Sequence, residues 1–315
     1  MSVGPDRRTG RRSLSPAAAA LVVVLCLALT ASRSPSGRTP PPPPVRWTQT
    51  TVPIVVDGLT RSYLLVRPWP AGAARAARLP VLVNLHGCCV TPEYERQRSG
   101  FADVTGPAIL VYPAGVGQSW NAGSCCGPAQ AAAVDDVAFL TAVVDNVLDT
   151  QPDAASGRVF LAGYSNGGKM ALRMACAAPR RFAAVASYAA VSAAPCPNPA
   201  PASLLEIAAT GDPELTIRSS GTSHTLNGYT QPTVDAQVDQ YRRANRCPGT
   251  PITRTQGSLT TSTWVRCGTG QCVQLAVYQG GSHDWLQGDD ATPSATQVIW
   301  DFFSTVHSAS AGCRN

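Results

Sequence analysis

Arg158-Val-Phe-Leu-Ala-Gly163-Tyr-Ser165-Asn-Gly167-Gly168-Lys-Met-Ala-Leu172 is the stretch on which the reading of this chain turns. Val159 to Ala162 form a short apolar run of buried-strand type. A Gly-x-Ser-x-Gly turn follows, and a helix is predicted to open at Gly168. A serine at the apex of so tight a strand-to-helix turn needs small neighbours. Gly163 and Gly167 lack a Cβ and let strand and helix approach each other. The N–H groups and positive dipole end of the helix behind Ser165 are suited to a developing oxyanion. The stretch therefore predicts a serine held as a nucleophile.

Outward from this turn, short apolar runs alternate with helical spacing, which predicts an α/β protein with a mostly parallel sheet covered on both faces. Thr51–Val56 and Tyr63–Val66 read as an opening antiparallel pair around Asp57-Gly58. Val81–Leu85 and Ile109–Tyr112 read as buried strands. Val134–Asp149 carries apolar residues at helical spacing and ends before Pro152. After the serine turn, Phe182–Tyr188 and Leu204–Ala209 are predicted strands and Val234–Ala244 a helix. Ser262–Arg266 and Val273–Tyr278 are a predicted strand pair, and Ala295–His307 a closing helix. No internal repeat is visible.

A serine nucleophile needs a base, and the base needs an acid to orient it. Of the four histidines, His86 precedes Ser165 in a His-Gly turn, His224 lies in a polar loop, and His307 falls in the closing helix. His283 alone follows a convincing strand, through Gly280-Gly281-Ser282, and is the expected base. The acid is expected on a loop after a strand between Ser165 and His283. Leu204–Ala209 runs into Thr210-Gly211-Asp212-Pro213, so Asp212 is the expected acid, with Glu214 as its rival. Asp235 and Asp239 fall on a predicted helix and read as solvated. Two backbone N–H groups are expected to form an oxyanion hole: that of Asn166, and that of Cys88 in the loop after Val81–Leu85. Asp135 and Asp136 open a helix, where acidic side chains favour the dipole, and a structural role is expected.

Composition bounds the rest. The 315 residues are 44% hydrophobic and 14% charged, which suits one large core. Of the formal net charge of +6, residues 1–31 hold +3 through Arg7, Arg8, Arg11 and Arg12 against Asp6. Lysine is nearly absent and no basic run follows, so a nucleic-acid partner is not expected. Residues 1–31 read as an export signal: an Arg-rich start, an apolar core from Ala17 to Leu29, then small residues around Ala31. The apolar core is too short to span a bilayer comfortably, so cleavage is expected and no membrane span thereafter. Arg11-Arg12-Ser-Leu14 resembles a twin-arginine signal loosely, and general secretion stands beside it. Leu25 before Cys26 argues against a lipoprotein signal. Residues 32–44 end in five prolines, Pro40 to Pro44, and read as an extended linker. A catalytic domain is expected over residues 45–315, secreted and monomeric.

Ten cysteines remain once Cys26 is removed, an even number in an exported chain. Disulfides are expected, and zinc is not, because CC, CC and C-x4-C spacings lack metal-site clustering. Links from the Cys88/Cys89 pair to the Cys125/Cys126 pair, and from Cys176 to Cys196, are expected because each bridges neighbouring elements.

Five motifs occur in order: Leu85-His86-Gly87-Cys88, Trp120-Asn121-Ala-Gly-Ser-Cys125-Cys126-Gly127, Asp135-Asp136-Val-Ala-Phe-Leu140, Gly163-Tyr-Ser165-Asn-Gly167-Gly168-Lys-Met, and Gly280-Gly-Ser-His283-Asp-Trp285. Together they resemble secreted esterases of the polyhydroxybutyrate depolymerase and feruloyl esterase type, over roughly residues 50 to 305. The resemblance implies an α/β-hydrolase fold, no cofactor or metal, and hydrolysis of a carboxylic ester through an acyl-enzyme on Ser165, with Asp212 and His283. Two departures stand out. Ala208-Ala-Thr-Gly211 precedes Asp212 where the family usually shows His-Gly-Thr, and Ser282 and Leu286 replace a third glycine and a proline around His283. Trp120 and Trp285 are expected to wall the substrate site. The substrate expected is an ester, polymeric or not: a hydroxyalkanoate, or a feruloyl or acetyl polysaccharide. An acyltransferase with another acceptor and a non-catalytic polymer- or carbohydrate-binding relative are the competing readings.

Overall fold

A computed structural model describes residues 45–69, 78–218, 220–221 and 223–306. The export signal, the proline linker, Cys313 and His307 lie outside these residues. In chain order the elements are β1 (Arg46–Val56), β2 (Leu59–Trp69), β3 (Leu79–Leu85), α1 (Pro92–Ser99), α2 (Phe101–Val104), β4 (Ile109–Pro113), α3 (Gly127–Ala131), α4 (Asp136–Thr150), β5 (Ala154–Tyr164) and α5 (Asn166–Ala177). They continue with β6 (Ala184–Tyr188), β7 (Leu204–Ala209), β8 (Thr225–Leu226), β9 (Tyr229–Thr230), α6 (Val234–Asn245), β10 (Ile252–Gln256), β11 (Leu259–Trp264), β12 (Val273–Tyr278) and α7 (Ala295–Thr305).

Ten strands form one sheet in the order β1-β2-β4-β3-β5-β6-β7-β12-β11-β10. The middle, from β4 to β12, is parallel, as the continuous apolar runs require of strands buried on both faces. Antiparallel hairpins close both edges. In the first, Asp57 and Gly58 both take positive φ, 49° and 77°, the backbone that a two-residue hairpin turn demands. Alternate side chains of the central strands divide the core. Val81, Val83 and Leu161 pack with Phe139, Val143 and Met170 of α4 and α5. Leu82, Phe160 and Leu205 pack with Phe101 of α2 and Ile299, Trp300 and Phe303 of α7. The architecture is the α/β-hydrolase fold expected from the sequence.

Boundaries moved where packing extended an element. The serine strand reaches back to Ala154 and its helix begins at Asn166 rather than Gly168. The expected strand at Ser262–Arg266 lies instead at Leu259–Trp264, in register with β12 through Leu259–Tyr278 and Trp264–Val273. Strand β10 carries no apolar signal because all five of its residues are exposed.

The cysteine pairing needs correction. Cys176–Cys196 is formed as expected, and Cys247–Cys267 is a further bridge. The expected links from Cys88/Cys89 to Cys125/Cys126 are not made. Cys125 and Cys126 bond to each other, and Cys88 and Cys89 are free thiols with sulfurs 2.8 Å apart. The two pairs are nevertheless neighbours, since a Cβ on Gly127 would lie 3.9 Å from the Cys88 sulfur. Sequence spacing places the segments together, but which sulfurs meet depends on how each loop presents them.

Candidate active site

Strand β5 delivers Ser165 at the crest of the sheet. Its backbone, φ 53° and ψ −118°, is one that a non-glycine residue takes only where the surroundings impose it. The imposition is visible: the Ser165 N–H donates to the Tyr188 carbonyl at 2.8 Å, and its own carbonyl accepts the first helical bond from Lys169. A Cβ on Gly163 would collide with the Gly167 carbonyl, and one on Gly167 with the carbonyls of Leu85 and His86. The glycines of the motif are thus set by contact between the turn, its helix and the loop after β3.

The loops after β7 and β12 bring the two remaining expected residues to Ser165. His283 Nε2 lies 2.8 Å from Ser165 Oγ, and its Nδ1 lies 2.8 Å from Asp212 Oδ2. The loops are zipped together: Thr210 N–H donates to the Tyr278 carbonyl, and Gly280 N–H to the Thr210 hydroxyl. Gly211 permits the approach, since a Cβ there would meet the Gly281 carbonyl oxygen. Asp212 is buried, and its second oxygen accepts the Glu214 N–H at 2.8 Å. Glu214 is more than half exposed, with its carboxylate 3.7 Å from His283 Nε2, on the serine side of the ring. The structure therefore brings together Ser165, His283 and Asp212 in a continuous hydrogen-bonded chain and leaves Glu214 beside it.

Burial acts to lower the pKa of His283. The hydrogen bond and charge of Asp212, with the charge of Glu214, outweigh it, so the imidazole is held above its ordinary value. The other described histidines do not join this arrangement. Buried His86 accepts the Gly115 N–H at Nε2 and faces the Gly87 carbonyl through Nδ1, which fixes a neutral ring carrying its proton on Nδ1. Burial pushes its pKa down to about 4. His224 stands before the small β8–β9 ribbon, its carbonyl accepting from Gln231.

Among the described residues, neither the Cys88 N–H nor the Asn166 N–H donates to any other group. The Asn166 side chain is not available to a substrate. It is buried, accepting the Trp120 N–H at 2.7 Å and donating to the Trp120 carbonyl at 2.9 Å. Trp120 is itself fully buried, its indole N–H on the His86 carbonyl and its ring against His86 and Phe139. Trp285 is 5% exposed, donates to Thr296 and packs edge-on to Tyr188 and Phe101. The expected aromatic wall is thus not found. Both indoles are interior supports of the site, because each N–H finds its partner inside the protein.

Asp135 and Asp136 open α4 in the structural role expected of them, but sequence reasoning missed the contacts that support the site from behind. Asp136 is buried, paired with Arg61 at 2.8 Å, and accepts the Asn121 N–H, so the Trp120-Asn121 motif is anchored to the start of α4. Asp135 caps that helix through Ala138 N–H. Tyr164 and Tyr188 reach the backbone of the histidine loop, and Lys169 is buried one turn after Ser165. The Tyr164-Ser165 dipeptide and a single lysine in an apolar helix were the available signals. A groove of about 530 Å³ lies between β10–β11 and α7 at the sheet edge and contains none of these residues.

Such a chain of contacts suits abstraction of the serine proton and attack on a carbonyl carbon. Comparison with known proteins agrees with the fold. Relative to an acetyl xylan esterase from Aspergillus awamori, the chain aligns over 82% of its own length and 99% of that structure, with a TM-score of 0.58 at 15% identity. A "Putative esterase NocK" of Nocardia uniformis subsp. tsuyamanensis is 36% identical over 148 residues, 45% of this chain and 41% of that protein. Feruloyl esterase B of Piromyces equi is 25% identical over 248 residues, 74% of this chain and 43% of that protein. The chain thus spans about two fifths of these curated relatives. Residues 65–259 match the family described as "Putative esterase". That match runs from β2 through the serine turn and the acid loop to the start of β11, and with it the chain belongs to the esterase family.

Proposed function

We propose that this chain is an exported serine hydrolase of carboxylic esters, and that the observation carrying this reading is the 2.8 Å contacts joining Ser165, His283 and Asp212. His283 takes the proton from Ser165 Oγ as the oxygen attacks the ester carbonyl. The charge of the tetrahedral intermediate falls on the N–H groups of Cys88 and Asn166. Collapse expels the alcohol, which receives the proton from the imidazolium. Water then enters by the same route, His283 again taking a proton, and the acyl-enzyme is hydrolysed. Asp212 keeps the imidazole proton on Nδ1 and stabilises the imidazolium without taking the proton itself.

The substrate class proposed is a feruloyl or acetyl ester of a plant polysaccharide, on the support of relatives named feruloyl esterase and acetyl xylan esterase. Hydroxyalkanoate oligomers are the comparison substrate. Residues 1–31 are proposed to direct export and 32–44 to space the catalytic domain from them, which N-terminal sequencing of the secreted protein would test. Turnover of p-nitrophenyl acetate, methyl ferulate and acetylated xylan is the direct assay. Ser165→Ala is expected to lower kcat by about 10³-fold or more with the fold intact. Equal, negligible turnover by both proteins would sink the proposal.

A further inference from the structure

The rings of Tyr164 and Tyr188 are buried in the core facing α2 and α7, where phenylalanine would pack as well. Their hydroxyls do something phenylalanine cannot. Tyr164, the residue immediately before Ser165, donates from Oη to the His283 carbonyl at 2.5 Å. Tyr188, whose carbonyl already receives the Ser165 N–H, donates from Oη to the Asp284 carbonyl at 2.5 Å and accepts the Leu286 N–H at 3.1 Å. Three anchor points of the histidine loop, at His283, Asp284 and Leu286, thus hang on two neighbouring strands, paired at Tyr164 and Tyr188. The same two residues set the nucleophile.

The rings are held in turn. The Arg98 guanidinium lies 4.0 Å over the centre of the Tyr164 ring. Glu95, fully buried, fixes Arg98 and accepts from Asn84 of β3 at 3.0 Å. Trp285 closes the cluster against both tyrosines, and the Tyr164 ring lies 5.4 Å from the His283 ring. Burial pushes the Tyr164 hydroxyl up to about 12 and that of Tyr188 further still, so both remain protonated donors wherever the site would work.

We infer that Tyr164 and Tyr188 are positioning residues that tie the base-bearing loop to the serine turn, so that nucleophile and base are placed by one rigid unit. The inference rests on the esterase reading for its consequence in rate, but not for its consequence in geometry. Without the hydroxyls the loop carrying His283 keeps its zipper to Thr210 and the Trp285–Thr296 bond but loses its ties to the serine strand and its neighbour, and the Asp212–His283 contact loosens. The charged groups around the ring are Asp212 and Glu214 from the acid loop, Lys169 from α5, Arg98 and Glu95 from α1, and Asp284 within the loop. Of these, Asp212 is the one whose hydrogen bond depends on the loop's placement.

The test compares wild type, Tyr164→Phe and Tyr188→Phe by thermal melting, by the pH dependence of p-nitrophenyl acetate hydrolysis and by an NMR titration of the His283 ring, assigned with His283→Gln. Each folded variant is expected to lose about 10- to 100-fold in kcat, the scale of a misplacement of about 1 Å, with KM nearly unchanged. The His283 titration is expected to move down, toward that of a free imidazole. Wild-type kcat and titration in a folded variant would overturn the inference. So would activity lost only in proportion to the unfolded fraction, with an unmoved titration. Should one variant not fold, the other decides. Should wild type show no turnover, the esterase reading fails alone, and the NMR titration still judges the tyrosines.

Discussion

At the scale of single residues, two carboxylates, three and five positions past the end of β7, compete for one role, and geometry separates them. Asp212 is buried on Nδ1 of His283, whereas Glu214 is exposed and nearer Nε2. Asp212→Asn is expected to lower kcat by about 10³- to 10⁴-fold, because the imidazole loses its tautomer and its counter-charge. Glu214→Gln is expected to stay within about fivefold, since an exposed ion pair contributes at most about 1 kcal/mol. Steady-state kinetics on the two variants decide the assignment. The pH profile follows from the same contacts. The proposed mechanism needs a neutral His283, and Asp212 and Glu214 together hold its pKa above the usual 6.5 despite burial, so wild-type activity is expected to fall as pH drops through a value above 6.5. Ser165, His283 and Asp212 were legible in the sequence because chain order and strand-then-loop placement constrain them. The roles of Trp120, Trp285 and the tyrosines were not. An aromatic residue in a motif looks the same whether its ring faces substrate or interior.

At the scale of elements, α5 and β7 carry a buried pair that neither sequence pattern nor the reaction explains. Lys169, the only lysine in the chain, lies on the first turn of α5, 4% exposed. Glu206 interrupts the apolar run of β7, fully buried, with the Ser187 side chain and the Lys169 charge as its polar neighbours. Burial raises Glu206 well above its ordinary value and lowers Lys169, so both are driven toward their uncharged forms. The sign for stability follows. The folded state keeps a proton on Glu206 that the unfolded chain releases above about 4.5, so this residue's contribution is full below that pH and is lost as pH rises toward the folded value. Glu206→Gln is expected to raise the melting temperature at pH 8 and to flatten its decline from pH 5 upward, measured by calorimetry across that range. An unchanged or steeper decline would mean that the carboxylate is ionised in the folded protein. Most elements were readable from apolar runs and helical spacing, and β7 and β12 were placed to the residue. The all-exposed β10 and the short helices α1 to α3 were not, because their positions are set by pairing and capping rather than by a buried face.

At the scale of the molecule, the described residues form one compact unit whose candidate site lies where loops from β3, β5, β7 and β12 meet. Cys176–Cys196 joins the end of α5 to the loop before β7, enclosing a separation of 20 residues. Replacing both cysteines with serine is expected to cost about 3 kcal/mol, the loop-closure entropy returned to the unfolded chain. Urea unfolding should show a lower midpoint, while kcat below the transition stays near that of wild type. The cysteine count predicted bridges but not the partners of Cys88, Cys89, Cys125 and Cys126. Adjacent cysteines are interchangeable in sequence, and only the direction of each side chain distinguishes them. By itself the sequence determined the parallel sheet, the serine turn and the order Ser165, Asp212, His283 of the candidate site, because these rest on local patterns: apolar periodicity, small residues at a tight turn, a loop after each strand. Only the tertiary structure decided which carboxylate meets His283, that both tryptophans turn inward, and that tyrosine hydroxyls from the serine strand and its neighbour bond the backbone of the His283 loop. Those depend on side-chain directions between segments far apart in the chain, 71 residues from Asp212 to His283 and 119 and 96 from the tyrosines to their acceptors, and no spacing along the chain encodes a direction in space.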